Sequence, residues 1–68
     1  MPTFRAKLVK GASTEDAELT IADFGGGVVQ VLDTAGVIIF TGTEEVADSV
    51  RSLFNVAAVE EDREVPAA

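Results

Sequence analysis

The side chains in this 68-residue chain that could do chemistry are twelve carboxylates, five cations and a set of serine and threonine hydroxyls; histidine, cysteine, tyrosine and tryptophan are absent. The four missing types supply most general bases, thiol nucleophiles, zinc ligands and aromatic anchors. Carboxylates can bind a divalent cation, but only at a suitable spacing. Glu60, Glu61, Asp62 and Glu64 lack the ligand spacing and the glycine of a calcium loop. No catalytic residue, cofactor site or metal site is assigned, and the chain reads as a non-enzymatic protein.

Two short segments invite a catalytic or phosphate-binding reading. Val31-Leu32-Asp33-Thr34-Ala35-Gly36 resembles the Asp-Thr-Ala-Gly segment of small GTPases, a likeness of six residues. That resemblance implies a phosphate loop of the Gly-x4-Gly-Lys-Ser/Thr kind, which the sequence does not contain. The same residues resemble the Asp-Thr-Gly of retroviral-type aspartic proteases, with Ala35 at the third position and Gly36 one residue late. A hairpin turn accounts for them. Gly25-Gly26-Gly27 could cradle an anion through its amides, but Asp23 precedes it and no cation lies near. The triplet is expected to form a flexible turn, able to close over a partner or ligand.

The net charge of −7 is unevenly distributed. Residues 1–10 carry Arg5, Lys7 and Lys10 and no acid. Residues 11–43 carry five acids and no cation, and residues 44–68 carry seven acids against Arg51 and Arg63. Such a surface repels phosphate backbones, so direct nucleic-acid binding is not expected; it favours solubility or a basic protein partner. The candidate partner surface is Glu44, Glu45 and Asp48 together with Glu60, Glu61 and Asp62. Arg5, Lys7 and Lys10 form a cationic strip, expected to pair with acids of the second strand, 17–24, or of a second subunit.

Elements to position these residues follow from periodicity. Alternation over 3–9 predicts a strand, and a polar loop over 10–16 follows. Ala17, Leu19 and Ile21 alternate with Glu18, Thr20 and Ala22, which predicts a second strand ending at Phe24, with the glycine triplet as a hairpin turn. Val28–Leu32 and the continuously apolar Val37–Thr41 read as the third and fourth strands, the last of them central, joined by a turn at 33–36. Val46, Val50, Leu53, Phe54 and Ala57 recur at helical spacing. Thr41 or Thr43 is the expected cap, Glu44 and Glu45 suit the helix start, and Asn55 is the expected stop. Phe54 is expected to anchor this helix on Phe4, Leu8 or Ile21. Val56–Val59 either extends the helix or forms a short fifth strand, and the strand is preferred.

The expected fold is α+β: a small curved antiparallel β-meander of four strands, with that fifth strand open, and one α-helix on a face. Residues 1–59 form the domain and 60–68 an acidic C-terminal tail. The chain has no disulfide to staple it, and Val37, Ile38, Ile39 and Phe40 are not all expected to be buried within one copy; a homo-oligomer, with a dimer favoured, follows. No long apolar run suggests a membrane span or a secretion signal, so a soluble cytoplasmic protein is expected. The functional expectation is a protein–protein interaction module, of which an inhibitor presenting negative charge to a basic partner is one version. The alternatives are a small-ligand-binding module with a pocket at the sheet–helix or subunit interface, and a purely structural oligomer.

Overall fold

The computed structural model describes residues 2–61. Its order is β1 (Thr3–Leu8), α1 (Thr14–Asp23), β2 (Gly27–Leu32), β3 (Val37–Thr41), α2 (Glu44–Arg51) and β4 (Val56–Glu61). The four strands form one antiparallel sheet in the order β2-β3-β1-β4. The class is α+β, as the sequence predicts, but the sheet is no meander. Only β2 and β3 are hairpin neighbours; each helix carries the chain across a strand, the split β-α-β arrangement of ferredoxin-like folds.

The main correction lies at 14–24. The strand expected over 17–24 is the larger part of helix α1, so there are two helices rather than one. Ser13 adopts an extended backbone and its hydroxyl accepts from the Asp16 amide, which satisfies one of the orphan donors at the helix start. Glu15 and Asp16 sit in the first turn, where the dipole favours anions. Ala17 and Ile21, four residues apart, are the buried pair. Leu19, which the alternation placed beside them, is 60% exposed.

The glycine triplet ends this helix and does not turn a hairpin. Gly25 takes φ +95°, its N–H donates to the Ala22 carbonyl, and the Gly26 N–H donates to the Ile21 carbonyl. This is a Schellman stop. A Cβ on Gly26 would lie 2.7 Å from Ile21 Cγ2 and 3.4 Å from Phe40 Cδ2, so the chain passes too close to the core for any side chain there.

The later elements follow the sequence more closely. The β2–β3 turn closes with the Gly36 N–H donating to the Asp33 carbonyl, Gly36 being at φ +66°. Thr43, not Thr41, caps α2, its hydroxyl accepting from the Val46 amide. Helix α2 stops at Arg51, before Leu53 and Phe54, and Ser52 rather than Asn55 is its C-terminal cap. Phe54 therefore falls in the turn before β4 and is 94% exposed. The expectation that it anchors the helix is overturned. The fifth strand of the sequence reading exists as β4 and runs on through Glu60 and Glu61, which the reading placed in the tail; residues 62–68 lie outside the described residues.

Both helices cover the same face. Ala17 and Ile21 of α1 and Ala47 and Val50 of α2 share one core with Phe4, Ala6 and Leu8 of β1, Ile38 and Phe40 of β3, and Val56 and Val59 of β4. Phe4 and Phe40, opposite each other in the register, stack at 5.5 Å between ring centroids. No buried polar or charged residue interrupts this cluster among the described residues.

Candidate functional site

With both helices on one face, the other face of the sheet is open. The strand period of two puts there the residues between the core positions: Arg5 and Lys7 of β1, Val37 and Ile39 of β3, Gln30 and Leu32 of β2, and Ala58 and Glu60 of β4. Val37 and Ile39 are half-buried, while Ile38 and Phe40 are fully enclosed on the other side. Of the apolar run 37–40, two residues are thus left partly uncovered by one copy of the chain.

A shallow depression of ≈ 310 Å³ lies on this face, lined by Arg5, Lys7, Val37, Ala58 and Glu60. Arg5 faces Glu60 across the β1–β4 ladder and Ile39 across the β1–β3 ladder. Arg5 and Lys7 do share this face, but the second strand expected to supply their acids is helix α1, and the acid in register with Arg5 comes from the last strand. A second, wider depression of ≈ 540 Å³ adjoins it across Lys7, between the loop after β1 and the β2–β3 turn, away from the end where β1 begins; Lys10, Gly11 and Asp33 are among its walls. There Thr14 Oγ1 donates to the Asp33 carboxylate, tying the start of α1 to that turn.

The expected partner-binding acids are largely brought together by topology. Thr3 pairs with Thr41 and Phe4 with Glu61, so β3 ends and β4 ends at the same edge of the molecule. Helix α2 begins three residues after Thr41, which adds Glu44 and Glu45 to that end. All four of Glu44, Glu45, Glu60 and Glu61 are exposed. Gly27, opposite Thr41, brings the glycine triplet to the same end. Asp48 lies one turn further along α2 and pairs with Arg51 at 2.5 Å, both side chains being about half exposed or more. Arg51 also donates to the Val59 carbonyl at 3.3 Å, which links α2 to β4. A surface pair of this kind contributes at most about 1 kcal/mol. Asp62 lies outside the described residues.

The arrangement constrains the chemistry available. Among the described residues no group of three or more carboxylates is disposed to hold a metal ion. Phe4 and Phe40 point into the core, so the open face of β1 and β3 carries none of the stacking aromatics of a sheet that binds single-stranded RNA. No described helix is long and apolar enough to cross a membrane. Incomplete burial of the 37–40 run is expected from the sequence, but not that Val37 and Ile39 are the uncovered pair, nor that Leu32 joins them on the open face. Alternation within β3 is hidden because every residue from Val37 to Phe40 is apolar, and Leu32 lies on this face only through its pairing with Val37. Comparison with known proteins adds no assignment: neither a family model nor a curated protein matches the chain.

Proposed function

We propose that the chain is a small acidic, non-enzymatic protein–protein interaction module of the cytoplasm, acting as an inhibitor that covers a basic surface of its partner. The reading is supported by one observation above the others: four exposed carboxylates from two distant parts of the chain, Glu44 and Glu45 with Glu60 and Glu61, share one end of the molecule. The two-layer domain fixes the backbone at these positions, so binding has to order their side chains but not the chain, which lowers its entropic cost. Such a cluster steers a cationic partner and raises its association rate. The open sheet face beside it, with Val37, Ile39 and Ala58 among its residues, supplies apolar area for the docked state.

The test uses the variant Glu44→Lys/Glu45→Lys/Asp48→Lys. These three positions are exposed, so the fold is expected to survive, with a loss of a few tenths to about 1 kcal/mol for each cation near the helix start. Immobilised wild-type chain should capture a basic protein from its host extract in low salt and release it as salt is added. Association of that purified protein should slow roughly tenfold or more with the variant. Equal rates, or capture indifferent to salt, would sink the electrostatic reading.

The depression beside Arg5 and Lys7 supports a second reading, a small-ligand module that takes an acidic molecule with an apolar body. Carboxylate-bearing ligands stabilising the fold in a thermal-shift screen, with loss of the effect in Lys7→Ala, would favour it over the first.

A further inference from the structure

From the charge and edge structure of the sheet, we infer that β2 is a self-association edge, at which a second copy of this chain adds its own β2 in antiparallel register. The inference does not rest on the acidic end described above.

Strand β2 is the outer strand of one side of the sheet, so its outward row of backbone N–H and C=O groups faces no strand of its own sheet. Natural edges are blunted by charge, proline or irregularity. The two edges of this sheet differ in that respect. Strand β4 ends in Glu60 and Glu61, which bring two carboxylates per copy into any pairing there. Strand β2, Gly-Val-Val-Gln-Val-Leu, has neither charge nor proline, and Val29 is 62% exposed and Leu32 36% exposed. Its one irregularity is the register shift between Val28 and Gln30. The shift shortens the regular edge and makes the association weak and concentration-dependent, without closing it.

The occupant is a second copy because the charge permits it here and opposes it elsewhere. A chain of net charge −7 repels itself, and its described acids are spread over α1, the β2–β3 turn, α2 and β4. The stretch from Phe24 to Leu32 carries none. A two-fold axis at Gln30 sets Gln30 against its own copy, Val29 against Val31 and Asp33 against Gly27, so no two acids meet. The same patch is used by both copies, which is the requirement of a closed two-fold dimer. Backbone pairing supplies the affinity, as in other strand additions.

The experiment is sedimentation velocity of the full chain over a concentration and salt series, with three variants. Gln30→Glu is close to isosteric at an exposed position and sets two carboxylates against each other at the axis; Val29→Glu charges the same edge. Ala57→Glu adds the same charge to the exposed edge of β4 and is the control. Wild type and Ala57→Glu should dimerise alike, and more strongly as salt rises, because screening reduces self-repulsion. Gln30→Glu and Val29→Glu should weaken the dimer about tenfold or more while far-ultraviolet circular dichroism stays unchanged. A wild type that stays monomeric at the highest concentration overturns the inference. So does a dimer that Gln30→Glu leaves intact, and so does equal weakening by Ala57→Glu. The salt response separates this surface from the acidic end, since binding of a basic partner changes with salt in the opposite sense.

Discussion

The β2–β3 hairpin and the β1–β4 pair are two halves of one sheet that bury similar residues and expose different ones. The hairpin strands carry no charged side chain, whereas β1 and β4 carry Arg5, Lys7, Glu60 and Glu61. Inward, the halves are alike: Phe40 and Ile38 come from one, Phe4, Ala6 and Val59 from the other, and they form a single cluster. The core does not record the division of the surface. Period-two alternation lets the outward residues be chosen independently of the inward ones, so a neutral edge and a charged edge can stand on a common core.

The largest expected effect tests the common core. Phe4→Ala and Phe40→Ala should each cost about 3–5 kcal/mol in urea unfolding, most of what a domain of this size has. Because the rings stack on each other, the double variant should lose less than the sum. Strict additivity would mean that the halves are stabilised separately and share no core.

A smaller effect is specific to the hairpin side. Gly26→Ala should destabilise by about 1–3 kcal/mol, because the new methyl meets Ile21 and Phe40 and the packed core must shift. A thermal midpoint unchanged from wild type would show that the start of β2 is more plastic than the geometry implies. Next come the caps, one for each helix. Ser13→Ala and Thr43→Ala should each cost about 1 kcal/mol, and a marked difference between them in chemical denaturation would rank the two helix–sheet units by stability. The smallest effect is expected at Phe54→Ala. Its side chain is almost wholly exposed, so stability should change by no more than about 0.5 kcal/mol. A larger loss would place Phe54 in an interface and enlarge the binding surface of the charged half.

The elements with one dominant signal were legible in the sequence. Strand β1 alternated cleanly, the β2–β3 turn had its Asp and Gly at the required positions, and α2 had a threonine cap followed by acids. Helix α1 was not legible by alternation because Ala17, Leu19 and Ile21 satisfy a period of two, while the buried pair Ala17 and Ile21 satisfies a helical spacing equally well. Ser13 at the cap and acids at 15 and 16 were the deciding signals, and they resembled a polar loop. The position of Phe54 failed for another reason. The helical pattern continued through Leu53 and Phe54 after the backbone had stopped being helical at Arg51. The acidic residues of the candidate surface were visible as a composition, but their convergence depends on β4 returning beside β1, which no local pattern encodes.

The central place of β1 has a kinetic consequence. Its two neighbours are β3, which begins at Val37, and β4, which begins at Val56, so every ladder bond it makes spans a long stretch of chain. The hairpin β2–β3 can form from local contacts as soon as it leaves the ribosome, but β1, made earlier, must wait for both partners. Loop closure over these distances is costly before any pairing rewards it, so the rate-limiting event should be the docking of β1 between β3 and β4. Until β4 has paired with it, Phe4, Ala6 and Leu8 remain without their full enclosure, and transiently exposed apolar surface of this kind favours aggregation.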